Sequence, residues 1–231
     1  MNERAVGPGK SGAILDIFTR HVAEKGYDGT SFSGVASELG ISQGLIVHHY
    51  GTKARLMEAL HVSYMRRRIA EAERIVSTFA TPPEQLAGLL HAAMLYQVHD
   101  RNGTVAFQRE VARLAQEDED SEGRKLRRHY IGILLGVLDA GIASGDFRPV
   151  DTSIRSLLIF GAAQWAWTWF EPEGRRSAEQ VGAELVDLTL GSLLVDRASL
   201  PRLSDPEGQI VATVIGIISG APEASPAALG E

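Results

Sequence analysis

The chain has no cysteine, and only 6% of its 231 residues are aromatic. Without cysteine there is no disulfide framework, thiolate metal centre or cysteine nucleophile. No apolar run reaches the roughly 18 residues that a membrane helix needs. The segment Met1 to Gly12 lacks the apolar core of a signal peptide, so a cytoplasmic protein with no membrane association is expected. Period-two alternation is scarce, and no hairpin dipeptide joins two candidate strands, which argues against a sheet. Catalytic and metal-binding patterns are equally thin. His91, His99 and His129 show no ligand spacing. His48 and His49 are adjacent, and adjacent residues on a helix point about 100° apart. Glu58-Ala59-Leu60-His61 has the Glu-x-x-His spacing of di-iron bundles, but that chemistry needs a second copy and further glutamates, and the chain has no second copy. Gly7-Pro8-Gly9-Lys10-Ser11-Gly12 imitates a phosphate loop without the preceding buried strand such a loop requires. It reads as part of a flexible arm whose Arg4 and Lys10 could follow a phosphate backbone. No catalytic residue, metal or cofactor is expected.

What the chain does have is helical period. Hydrophobic residues make up 44% and charged residues 23%, the balance of a globular protein with a sizeable core. Ile14, Ile17, Phe18 and Val22 mark a first amphipathic helix, ending near Gly26. Ser31 can cap a short second helix stopped by Gly40. Ser42 can cap a third, to about Tyr50, and Thr52 a long fourth, to about Phe79. Thr81-Pro82-Pro83-Glu84 and Ser177-Ala178-Glu179-Gln180 both have the form of capping boxes. Helices are also expected at 104–116, 122–144, 152–170 and from 177 to about Val195, with the acidic run Glu117 to Asp120 as a solvated loop. Ile210 to Ile218 is an apolar island, open between a short docking helix and a strand. The expected fold is all-α, with about nine helices. Its expected division is an arm at 1–7, a small helical domain at 8–68, a larger helical domain at 69–196, and a partly disordered extension at 197–231.

The net charge of −6 is unevenly spread. Residues 1–68 carry nine Lys/Arg against six Asp/Glu, and residues 69–231 carry 14 against 23. A basic N-terminal part on an acidic body suits a small nucleic-acid-binding module joined to a domain with another task. The helix spacing supports this. A helix near 33–39, a tight turn at Gly40-Ile41-Ser42 and a second short helix form a helix-turn-helix, fastened by Ala36, Leu39, Ile41 and Ile46. The second helix has the dimensions to enter a major groove about 12 Å wide.

These residues resemble the TetR family of bacterial repressors. The resemblance covers roughly residues 8–68. It rests on Ile14-Leu15, Phe18, Gly26-Tyr27, Thr30-Ser31, Val35-Ala36, Leu39-Gly40-Ile41-Ser42, Gly44, Leu45-Ile46, His48-His49-Tyr50 and Lys53 to Leu56. It implies DNA-contact roles for Ser31, Ser42, Gln43, Gly44, Val47, His48, His49, Tyr50 and Lys53. Gln43 and Val47 would face base edges, and Gly44 would allow close approach. Ser42 would cap the reading helix and reach a phosphate. His49, Tyr50 and Lys53 would meet the backbone, and His48 is open to either role. Val47 departs from the family's usual tyrosine, and a thymine methyl is its natural partner.

The resemblance also implies a homodimer, formed through the helices near 152–170 and 178–195, and a small-molecule effector pocket. Candidate pocket residues are Met94, Phe107, Tyr130, Phe160, Gln164 and Trp165. Trp165 and Trp169 would share a helix face at i, i+4. The run Trp169 to Gly174 with Ser177 to Gln180 is similar to regulators of fatty-acid and steroid breakdown that bind acyl-CoA thioesters. An acyl-CoA is therefore a candidate effector, with Arg109, Arg113, Arg124, Arg127 and Arg128 as candidate phosphate partners. The expected function is a ligand-responsive repressor, dimeric on a palindromic operator of double-stranded DNA. Two alternatives stand beside it: a DNA-binding regulator or activator without an effector, and, remotely, a helical-bundle enzyme.

Overall fold

Short polar residues ahead of apolar periodic runs set most of the helix starts. The computed structural model describes residues 9–114 and 120–220. The expected arm at 1–7, most of the acidic run at 117–120 and the last part of the extension, 221–231, lie outside the described residues. Within them the order is α1 (Lys10–Gly29), α2 (Phe32–Leu39), α3 (Gln43–Tyr50), α4 (Lys53–Thr78), α5 (Pro82–His99), α6 (Arg101–Arg109), α7 (Val111–Leu114), α8 (Glu122–Ser144), α9 (Thr152–Gln164), α10 (Ala178–Gly191), α11 (Leu200–Leu203) and α12 (Gln209–Ile218). A 3₁₀ turn, Trp165–Thr168, follows α9. The fold is all-α, and ten of these helices have seven or more residues.

The caps form where the sequence places them. Ser31 Oγ accepts the Gly34 N–H and Ser42 Oγ accepts the Leu45 N–H, each at 3.2 Å. Thr81 and Glu84 bond reciprocally, as do Ser177 and Gln180, so both capping boxes close. Each such cap is worth about 1 kcal/mol of helix stability, because it satisfies an otherwise orphaned N–H.

The chain divides into two compact units, Met1–Arg67 with Arg101–Arg127, and Arg68–Asp100 with Arg128–Glu231. In the first, α6 packs along α1. Ile14, Phe18, Val22, Val35, Ile46, Leu56 and Leu60 are buried, with Val105, Ala106 and Phe107 from α6. Residues 101–127 thus group with the helix-turn-helix although they lie far along the chain. In the second unit α5 is central, covered by α10, α12 and α9. Leu86, Leu95, Leu138, Phe147, Val186, Leu190 and Val214 fill its core. Fully burying one such side chain contributes roughly 1.5–3 kcal/mol.

Three segments differ in detail from the sequence expectation, and a fourth takes one of the two forms left open for it. The 104–116 helix is two pieces, α6 and α7, broken at Glu110. The 152–170 helix ends at Gln164 and tightens into the 3₁₀ turn, where Thr168 Oγ1 donates to the Trp165 carbonyl at 2.8 Å. With three residues per turn the i, i+4 pairing of Trp165 and Trp169 no longer holds. The last helix of that region stops at Gly191. Beyond it Leu193 and Val195 pair with the 146–148 strand-like segment, through Arg148 N–H to Leu193 O at 2.8 Å and Val195 N–H to Asp146 O at 3.0 Å. The apolar island at 210–218 is a helix, α12, with Ile210, Val211, Val214 and Ile217 buried on one face.

Candidate nucleic-acid interface

The turn between α2 and α3 is built by Gly40, whose φ of 63° lies in the left-handed region. Its geometry lets the Ile41 N–H reach back to the Ala36 carbonyl at 3.0 Å, closing α2. Ile46 is fully buried and pins α3 by one face. The opposite face then has no choice but solvent: Gln43, Gly44, Val47, His48 and His49 are all exposed. Val47, at 50% exposure, is an apolar side chain held outward among polar ones. The His48 and His49 rings meet edge to face, 5.5 Å between centroids. Ser31 and Ser42 are exposed at the N-termini of α2 and α3, where the helix dipoles favour an anion.

Besides the capping serines Ser31 and Ser42, Tyr50 and Lys53 of the residues assigned to DNA contact also meet partners within the chain. The Tyr50 hydroxyl lies 2.8 Å from Ser11 Oγ and donates to the Ser11 carbonyl at 2.8 Å, which ties the end of α3 to the first turn of α1. Lys53, the first residue of α4, places its Nζ 4.2 Å from the centroid of the Tyr27 ring. Thr52 caps the same helix, accepting the Arg55 N–H at 3.2 Å. The parts played by Ser11 and Tyr27 had no local signal, because their partners are 39 and 26 residues away.

The back of α2 is stapled to α1 electrostatically. Glu38 accepts from the ring of buried His21 at 2.9 Å and from Arg20. These two hydrogen bonds, His21 first, hold the Glu38 carboxyl below its ordinary value.

The candidate effector residues are dispersed. Tyr130 and Phe160 come together, 5.8 Å between ring centroids, and form a wall of an apolar cavity of about 40 Å³ in the second unit. Ala72, Leu89, Ala93 and Ile133 also line it. Met94 is fully buried in the core of the same unit. Gln164 is half-buried and Trp165 is 66% exposed. Phe107 belongs to the first unit, stacked on Tyr64 at 4.7 Å. Among the candidate phosphate partners, Arg109 donates to the Ala23 and Glu24 carbonyls, Arg113 pairs with Asp28 and Glu110, and Arg127 donates to His61.

A third exposed feature is apolar. On α9, Ile154, Leu157, Leu158, Gly161 and Ala162 are exposed, and Trp165 follows at the same spacing. Together they make a continuous stripe at i, i+3, i+4, i+7, i+8, i+11. Leu188 of α10 is 70% exposed.

Known proteins match both parts of the chain. The family description "Bacterial regulatory proteins, tetR family" matches residues 14–60, and "Tetracyclin repressor-like, C-terminal domain" matches residues 80–193. The HTH-type transcriptional repressor KstR2 of Mycobacterium tuberculosis (strain ATCC 25618 / H37Rv) is 28% identical over 185 residues, covering 80% of this chain and 92% of that one. The solved structure of that organism's ketosteroid transcriptional regulator KstR2 superposes with a TM-score of 0.73 at 27% identity, over 84% of this chain and all of that one. The fatty acid metabolism regulator protein of Bacillus subtilis (strain 168) is 26% identical over 158 residues, 68% of this chain and 81% of that one. The fold of Bacillus subtilis FadR, solved with stearoyl-CoA, matches with a TM-score of 0.68 at 24% identity, over 79% of this chain and 99% of that one.

Proposed function

The chain belongs to the TetR family of bacterial regulatory proteins, as an all-α, DNA-binding transcriptional regulator and not an enzyme, and we propose that it is a homodimeric repressor released from a palindromic operator by an acyl-CoA thioester. In this reading residues 8–68 hold the operator, residues 69–196 bind the effector and form the dimer, and the protein works in the cytoplasm, where its DNA is. The observation that carries it is the outer face of α3, with Gln43, Gly44, Val47, His48 and His49 exposed on a helix that Ile46 anchors from behind.

The α9 stripe supports the dimer. Monomeric proteins rarely leave so regular an apolar face to water, and a second copy of the same face would cover it. Two reading helices could then enter successive major grooves about 34–36 Å apart.

The cavity at Tyr130 and Phe160 supports an apolar effector. Small-molecule pockets run from about 300 to 1,000 Å³, so a cavity of about 40 Å³ is a closed form that a ligand must open. An acyl chain that parted α8 and α9 from α4 and α5 would bind the opened state better and so shift the population toward it. Ala72, on the cavity wall, lies on the same helix that begins at Lys53. A CoA thioester is also the ligand with which the similar Bacillus subtilis FadR was solved, stearoyl-CoA.

Selection of bound duplexes from a random pool, followed by polarisation titrations, tests the reading. A two-fold symmetric site and at least a tenfold loss of affinity on adding stearoyl-CoA are expected. An asymmetric site bound by one protomer would sink the dimer. Unchanged affinity with a panel of acyl-CoAs of every chain length and with steroid-CoAs would sink the effector class.

A further inference from the structure

Lys53 and Arg113 share one aromatic ring. Lys53 Nζ is 4.2 Å and the Arg113 guanidinium carbon 4.4 Å from the centroid of Tyr27, both inside the roughly 6 Å reach of a cation–π contact. The two cations differ in what else they meet. Arg113 donates to both carboxylate oxygens of Asp28 at 3.1 Å and to Glu110 at 3.2 Å, so its charge is balanced. Among the described residues Lys53 has no carboxylate partner. Its charge stands at the first residue of α4, beside the helix N-terminus that favours an anion.

The ring itself is held from α6 and α7. Helix α1 kinks at Gly26, whose φ is 76° and ψ 169°. Glu110 Oε1 accepts the Tyr27 N–H at 2.8 Å. Arg109 Nη1 donates to the Ala23 and Glu24 carbonyls, at 3.2 and 3.3 Å, just before the kink. A Cβ on residue 26 would come 3.2 Å from Arg109 Nε, so glycine serves both the turn and the approach.

We infer that Tyr27 is a positioning residue for the DNA-phosphate contact of Lys53, and that Arg109, Glu110 and Arg113 hold Tyr27 in place. The ring keeps the lysine stem directed without neutralising its charge. A carboxylate in the same place would hold Lys53 as firmly but cancel the field that a phosphate needs. This rests on the reading that the α3 face and the start of α4 meet DNA.

The test replaces Tyr27 by phenylalanine and then by mono-, di- and trifluorophenylalanine in the full-length chain. Ring shape barely changes along this series while the negative face weakens, so folding is preserved. Binding to a mixed-sequence 30-base-pair duplex is measured across a range of salt concentrations, in the parent and in a Lys53→Gln background. Affinity should fall stepwise along the series, by about two- to fivefold per protomer, which is the 0.5–1 kcal/mol of an exposed cation–π contact. In the Lys53→Gln background the series should be flat, and the salt slope lower by about one per protomer. A flat series in the parent overturns the inference. So does an equal fall in the Lys53→Gln background, which would assign the effect to Arg113. Absence of salt-dependent duplex binding in the unaltered chain overturns the DNA-contact reading instead.

Discussion

Among the described residues, α3 and α9 each turn a face to solvent, and they do so with opposite chemistry. The outer face of α3 is polar and small, Gln43, Gly44, His48 and His49, with Val47 as its one apolar member. The outer face of α9 is apolar, with Ile154, Leu157 and Leu158 more than half exposed. A polar face is content in water and waits for a polar partner. An apolar stripe is not, and its exposure in a single chain is a cost that a second protein surface removes. Exposure alone therefore does not mark a binding site. The kind of atom exposed says which partner suits it.

The sharpest way to break the contrast is a charge on the α9 stripe. Leu158→Glu should give a monomer in sedimentation and lower operator affinity by about 10²–10⁴-fold, the avidity of two linked sites. A dimer that persists at micromolar concentration would show that α9 is not the seam.

Next is the anchor behind α3. Ile46→Ala should destabilise the first unit by about 2–5 kcal/mol, read from denaturant midpoints, because a fully buried side chain leaves a cavity. DNA binding should disappear with the fold.

The second unit offers a smaller test. His91 is fully buried, its ring 3.1 Å from the Leu203 carbonyl, and burial, the largest influence, lowers its pKa from the ordinary 6.5, against the opposing effects of Leu203 and Asp205. The unfolded chain then takes up a proton at a pH where the folded one does not. Stability should be full above the unfolded value near 6.5 and decline as pH falls below it toward the depressed folded value. His91→Gln should flatten that decline in melting curves between pH 8 and 5. Gly182→Ala should cost about 1–3 kcal/mol in the same unit, since its Cβ would sit 2.9 Å from His91 Nδ1.

The smallest effect belongs to α3 itself. Ser42→Ala removes the cap at Leu45 and should cost about 1 kcal/mol, seen as a few degrees in a thermal melt. Ser42→Asp should restore the cap but weaken DNA binding through like-charge repulsion with a phosphate.

Much of the helix capping in both units can be read along the chain. Ser31, Ser42, Thr81 and Ser177 each cap a helix through an N–H three residues away, and a bond that local leaves its signature in local sequence. The roles of Tyr50 and Lys53 are only half legible. Their type and spacing match the family pattern, but Ser11 and Tyr27 become visible as their supports only after the chain has folded back. The effector residues are the least legible. Six candidates, five of them aromatic or apolar, were reasonable by type, yet Tyr130 and Phe160 meet at one cavity while Phe107 packs in the other unit and Trp165 faces solvent. Periodicity tells which face of a helix is apolar. It does not tell which other helix will cover that face.

Sequence by itself determined the all-α class and the helix-turn-helix frame, because these rest on caps, turns and apolar spacing within a few residues; the family followed from resemblance to known proteins. The tertiary structure alone decided that residues 101–127 join the DNA-binding unit, that Tyr27 serves two cations, and that α9 tightens into a 3₁₀ turn at Trp165. Those outcomes depend on contacts between residues distant in the chain, where packing rather than local propensity sets the lowest free energy.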